Sequence, residues 1–151
     1  MSIFHSMNTT ASALTSQRLR MDVISSNMAN AETTRSEYVN GKWQPYQRKA
    51  VVLQSKESGS FSNFLQKSMG QSTNEGDGVQ VTKIVKDETP NELVYNPNHP
   101  DANADGYVEM PNVDPLREMV DLMSVTRSYE ANVTVLNASK GMLMKALEIG
   151  K

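Results

Sequence analysis

The chain has 151 residues, no cysteine and a formal net charge of −2. Disulfide frameworks, zinc–thiolate sites and thiol nucleophiles are therefore excluded, and no basic field argues for nucleic acid. Apolar content is 38% and aromatic content 6%, thin for a compact core of this length, so apolar surface has to lie in narrow stripes on long helices or wait for a partner to order it.

From the N-terminus, residues 3–30 carry a helical period. Phe4, Met7, Ala11, Leu14, Met21 and Met28 follow steps of three and four, skipping Arg18, with Ile3 and Ile24 widening the stripe. The spacing is closer to a coiled-coil seam than to a broad core face. The opposite face is Ser, Thr, Asn, Gln and Arg, and the first 40 residues contain neither Gly nor Pro. No basic region followed by an apolar run stands at the start, so a cleaved secretory signal is not expected. No apolar run reaches the ~18 residues of a membrane span.

The helix ends in SSNMANAETT. Ser26, Asn27 and Asn30 can serve as a frayed terminus or hydrogen-bond across a close helix contact and fix its register. Residues 41–54 and 79–86 read as short strands. Between them, residues 55–78 are rich in Ser, Gly, Asn and Gln and read as a mobile polar loop, with a short helical turn around Phe61–Lys67.

Residues 91–114 (NELVYNPNHPDANADGYVEMPNVD) hold Pro97, Pro100 and Pro111, an Asp105-Gly106 turn and one alternating strand, Tyr107 to Met110. That composition predicts a rigid, shaped loop. Pro97, Pro100, Asp105 and Gly106 form a structural wedge, with Gly106 at positive φ. Asp114 then caps a helix with Pro115 in its first turn. Met119, Leu122, Thr126, Tyr129, Val133, Leu136, Lys140, Leu143 and Leu147 carry its stripe to residue 149. Ten methionines suit either core filling or an adaptable interface.

The fold class is thus mainly α with a small β-rich insert. Three segments follow: 1–34, an insert 35–111, and 112–151, with the terminal helices forming one shared domain. Two helices cannot cover both stripes against so small an insert, which points to self-assembly or partner binding.

Chemistry finds little support. Asp101 to Gly106 matches the first half of a calcium loop, which makes a calcium-dependent binding module centred on residues 101–112 the alternative reading. However, Asn112 stands where the bidentate Glu is required. His5 and His99 have no partner at metal spacing, and no nucleophile–base pair or phosphate loop is recognisable. No catalytic, cofactor-binding or metal residue is assigned.

Ser26-Asn27, Ala29-Asn30 and Thr33-Thr34 resemble the N-terminal motif of the flagellar rod and hook axial proteins. The block VYNPNHPDANADGYVEMPNVD and the helix EMVDLMSVTRSYEANVTVLNASKGMLMKAL are similar to a proximal-rod member of that family. The resemblance covers residues 2–54 and 79–151. It implies a structural subunit of the basal-body rod whose terminal helices pair as an antiparallel coiled coil. Copies then pack with other rod proteins around an axial channel, and the rod transmits motor torque. Met7, Leu14, Met21, Met28, Ser26, Asn27, Asn30, Met119, Leu122, Leu136 and Leu143 are the expected assembly interface. The resemblance also implies passage through the flagellar type III export apparatus, with no cofactor, nucleic acid or membrane insertion.

Overall fold

The computed structural model describes residues 3–39, 41–56, 65, 68–69 and 78–149. In chain order it contains α1 (Ile3–Ala29), β1 (Glu37–Val39), β2 (Lys42–Gln44), β3 (Lys49–Ser55), β4 (Val79–Lys86), β5 (Glu92–Tyr95), β6 (Tyr107–Met110) and α2 (Pro115–Ile149). A helix at each end flanks three two-stranded sheets, β1–β2, β3–β4 and β5–β6. The first and third are antiparallel hairpins. In the second, the Lys56 N–H donates to the Gly78 carbonyl at one end and the Asp87 N–H to the Arg48 carbonyl at the other, which is an antiparallel arrangement.

α1 persists because nothing in it breaks a helix and because its hydroxyls are satisfied locally. Thr10 Oγ1 donates to the Ser6 carbonyl at 2.9 Å and Ser16 Oγ to that of Ser12 at 2.9 Å. Such bonds let a hydroxyl sit inside without a distant partner. The helix stops at the amide-rich motif: Asn30 Nδ2 donates to the Ser26 carbonyl at 2.8 Å, and Thr33 Oγ1 to Asn30 Oδ1 at 3.2 Å. α2 starts as its sequence requires, with Asp114 Oδ1 accepting the Leu116 N–H at 2.9 Å.

The strands expected over 41–54 are two, because Pro45 has no N–H to offer a ladder; β2 ends at Gln44 and β3 begins at Lys49. One feature of the insert differs from expectation. The 91–114 block holds a hairpin instead of one strand. β6 pairs with β5 in the register Glu92↔Met110, Leu93↔Glu109, Val94↔Val108 and Tyr95↔Tyr107. A lone strand would leave its backbone groups without partners. The helical turn expected around Phe61–Lys67 and nearly all of the 55–78 loop lie outside the described residues.

The chain forms two compact units, one of residues 1–19, 52–83 and 126–151, the other of residues 20–51 and 84–125. Unit 2 contains the buried apolar side chains Val23, Ile24, Tyr46, Val108, Val113 and Val125. Unit 1 contrasts with it. Among its described residues the buried side chains are the hydroxyls Thr10, Ser16 and Ser139, and no large apolar residue is fully buried. One close approach organises unit 1: Gly78 has φ +115, and a Cβ there would lie 2.3 Å from Ser12 Oγ. That same hydroxyl accepts the Val79 N–H at 3.1 Å and so sets the entry to β4.

Candidate functional site

The densest chemistry of unit 2 lies where the end of α1, the start of β3 and the first turn of α2 meet. Asn27 is 1% exposed. Its Nδ2 donates to the Lys49 carbonyl at 2.9 Å and to Glu118 Oε2 at 3.1 Å. Its Oδ1 accepts the Lys49 N–H at 3.0 Å and the Tyr46 hydroxyl at 3.0 Å. Two donors and two acceptor positions are all that an amide side chain offers, so Asn27 is saturated.

Glu118 is fully buried. Its second oxygen accepts Arg48 Nε at 2.6 Å. Arg48 also approaches Asp87 at 3.6 Å and Asp121 at 3.7 Å. Burial works against the guanidinium charge. The Glu118 hydrogen bond and the three carboxylates outweigh that effect and hold Arg48 above its ordinary value. Asn112 completes the frame: its Oδ1 accepts the Arg48 N–H at 2.7 Å, and its Nδ2 donates to the carbonyls of Asp87 and Thr89. The Thr89 hydroxyl and N–H, followed by Arg48, keep Asp87 below the usual carboxylate range. Every strong polar group is engaged, so the junction works as a lock between segments far apart in sequence.

A second clamp joins the motif after α1 to the proline-rich loop. Thr34 Oγ1 donates to Asp101 Oδ2 at 2.7 Å, and Arg35 grips Asp101 Oδ1. Hydrogen bonds from Thr34 and Arg35 hold Asp101 below its ordinary value. The Asp101 N–H donates to His99 Nδ1 at 3.1 Å. Asp101 is thus committed to the fold. Neither Asp101 oxygen points freely into a metal loop, and no group of three metal-ligating side chains occurs among the described residues.

Of the predicted interface, Met7, Leu14, Met21, Met28, Ser26, Asn30, Leu122, Leu136 and Leu143 are half-buried, Met119 is exposed and Asn27 is buried. The structure brings Asn27 to α2, whereas Asn30 serves its own helix end. In the wedge, Pro97, Pro100 and Asp105 are exposed, and Gly106 has the expected positive φ, +79. A Cβ on Gly106 would lie 3.0 Å from Tyr95 Cε2. Sequence reading missed Tyr46, Arg48, Asp87, Asn112 and Glu118. Glu118 sits in the first turn of a capped helix, where a carboxylate is ordinary for dipole reasons alone, and nothing local marked Arg48.

Comparison with known proteins places this geometry. A family model described as flagella basal body rod protein matches residues 7–35, and another, flagellar basal body rod FlgEFG protein C-terminal, matches residues 104–149. Both ends thus define a flagellar rod-type protein, and the two matches take in Asn27, Thr34 and Arg35 on one side and Glu118 on the other. Over its full length the chain is 65% identical to the flagellar basal-body rod protein FlgC of Bacillus subtilis, covering 100% of both chains. It is 40% identical to FlgC of Borreliella burgdorferi, over 99% of this chain and 98% of the relative. With FlgC of Salmonella typhimurium it shares 39% over 100% of both. The chain belongs to the FlgC family of flagellar basal-body rod proteins. It is a structural protein of the rod and not an enzyme.

Proposed function

We propose that the chain polymerises with other rod proteins and with copies of itself through its two terminal helices. These pair as an antiparallel coiled coil in the assembled rod, which surrounds an axial channel and transmits motor torque. In this reading residues 1–34 and 112–151 form the shared helical domain, and residues 35–111, with the polar loop 55–78, form the outer insert. The observation that carries it is the apolar surface left open in unit 1: Phe4, Val135, Met142, Met144, Leu147 and Ile149 are 51–86% exposed, while no large apolar side chain of that unit is fully buried among the described residues. Val135, Met142 and Ile149, seven residues apart on α2, share one side of that helix, and such a row of exposed apolar side chains marks an interaction face. Stripe residues Met7, Leu14, Leu136 and Leu143 are then completed by neighbouring subunits, and Pro97, Pro100, Asp105 and Gly106 act as a rigid wedge between them. No described helix is long and apolar enough to cross a membrane. Export through the flagellar type III apparatus without a cleaved signal belongs to the same proposal.

The test is complementation of a strain lacking the protein. Leu14→Asp or Leu136→Asp places an unpaired charge in the seam, at a cost of several kcal/mol once buried. Cells should make the protein but build no hook. Normal swimming by both strains would remove the terminal helices from the assembly surface.

A further inference from the structure

Charge is unevenly placed within unit 2. Residues 91–111 contain Glu92, Asp101, Asp105 and Glu109 and no Lys or Arg. Asp101 is taken up by Thr34 and Arg35. Glu92, Asp105 and Glu109 are exposed and make no ion pair among the described residues. The strand register sets Leu93 opposite Glu109 and Tyr95 opposite Tyr107, so these four share one face of the β5–β6 hairpin. Leu93 is 60%, Tyr95 64% and Tyr107 44% exposed. The two tyrosine rings meet edge to face at 5.3 Å. Glu109 is the carboxylate of this aromatic face and exposed Asp105 stands in the turn before Tyr107, whereas Glu92, opposite Met110, lies on the other face with buried Val108.

A complementary surface exists on the same unit. Glu37, Gln44, Tyr46, Lys49 and Lys86 line a shallow cup beside the β1–β2 hairpin. Pairing of Val39 with Lys42 puts Lys42 on the Glu37 and Gln44 side of that hairpin. Lys49 and Lys86 therefore flank one carboxylate, and Lys42 lies on the same side of the hairpin outside the cup. Glu37 takes Lys86 Nζ at 2.7 Å and 2.8 Å. The Lys86 hydrogen bond and charge, with a smaller contribution from Lys49, hold Glu37 below its ordinary value. Lys49 Nζ stands 5.4 Å from the centre of the Tyr46 ring, and Lys42 is exposed without an ion pair among the described residues. The cup keeps an excess of positive charge after its internal pair is counted.

We propose that the acidic, tyrosine-bearing face of the β5–β6 hairpin in one copy docks onto the lysine cup of a second copy of this chain. The inference rests on the self-assembly reading above and names the surface by which like subunits meet. Opposite charges supply orientation and encounter rate, and the desolvated tyrosines supply the anchor. Because the two surfaces are different patches of one molecule, the contact is heterologous and repeats from copy to copy, closing a ring or continuing as a helix.

The test uses two full-length variants, Asp105→Lys with Glu109→Lys, and Lys42→Glu with Lys49→Glu. Sedimentation at low and moderate ionic strength reads self-association. Each variant alone should associate about tenfold or more weakly than the wild type, and an equimolar mixture should recover association, since the cup of the first meets the hairpin of the second. Added salt should weaken both the wild type and the mixture. If the first pair fails to fold by circular dichroism, Asp105→Asn with Glu109→Gln replaces it and should show a smaller loss of the same sign. Undiminished association of either variant alone, or no gain on mixing, overturns the docking. Should that happen while Leu136→Asp still abolishes the hook, the docking falls and the rod reading stands. Isolated rods that lack the wild-type chain would remove both.

Discussion

Glu118 and Asn27 are the single side chains on which unit 2 depends most. Glu118→Ala would leave the Arg48 guanidinium facing only Asp87 and Asp121 at 3.6 Å and 3.7 Å. Breaking a buried pair from one side costs about 3–5 kcal/mol, so urea unfolding should show a loss of that order, and Arg48→Met with Glu118→Leu should recover much of it. Wild-type stability in Glu118→Ala would mean that the buried carboxylate is not the centre of the lock. Acid should act through Asp87 and Asp101. Both have folded-state values lowered from the ordinary 3.8. A lowered carboxylate contributes stability that is present above its unfolded value and is lost as pH falls through the folded one. The unfolding midpoint should therefore be flat from neutral pH down to about 5 and fall below about 4. Asp101→Asn should lower stability at neutral pH and flatten part of the acid limb. An amide keeps one acceptor oxygen where the carboxylate has two and carries no charge to pair with Arg35.

At the scale of elements, the two crowded glycines of positive φ make separable predictions. Gly106→Val forces a β-branched residue to φ +79 against the Tyr95 ring, at a cost of about 1–3 kcal/mol, and the change should be read at the β5–β6 hairpin. Gly78→Ala drives a Cβ into Ser12 Oγ. Paired with Ser12→Ala it should lose less than the sum of the two single changes, because the clash is shared; strict additivity in that cycle would show that α1 and the start of β4 do not touch. The helices carry a different lesson. Leu116, Met119, Val120 and Met123 are 50–74% exposed, whereas Glu118 and Val125 are buried. The early turns of α2 thus point their apolar surface outward and a carboxylate inward, the reverse of an ordinary core helix.

For the whole molecule, the contrast between units sets how the free subunit should behave. Unit 2 has a buried apolar core and a saturated polar lock; unit 1 has buried hydroxyls and open methionines. Local stability follows buried apolar contact. Hydrogen exchange on a monomeric sample should therefore find slower amides in residues 20–28 and 115–125 than in residues 5–19 and 126–145, with the second set slowing on assembly. Uniform strong protection along both helices in the monomer would contradict this. Phe4, Leu147 and Ile149, exposed at 68%, 70% and 86%, lie just beyond the outer ends of this second set.

The two terminal helices, the Asp114 cap, the positive φ at Gly106 and the membership of a rod family could all be read from residues, because each rests on local periodicity, a short-range bond or a contiguous motif. Asn27 could also be singled out, though not its partners. The hairpin formed by β5, the break at Pro45, the Arg48–Glu118 lock and the grip on Asp101 could not. Glu118 and Asn27 are 91 positions apart, and Thr34 and Asp101 are 67 apart; no local pattern records such a meeting. Chain order determined where helices begin and which family the chain belongs to. Which polar groups close on one another was decided by the tertiary structure alone, because a buried charge finds its partner only when distant segments are folded together.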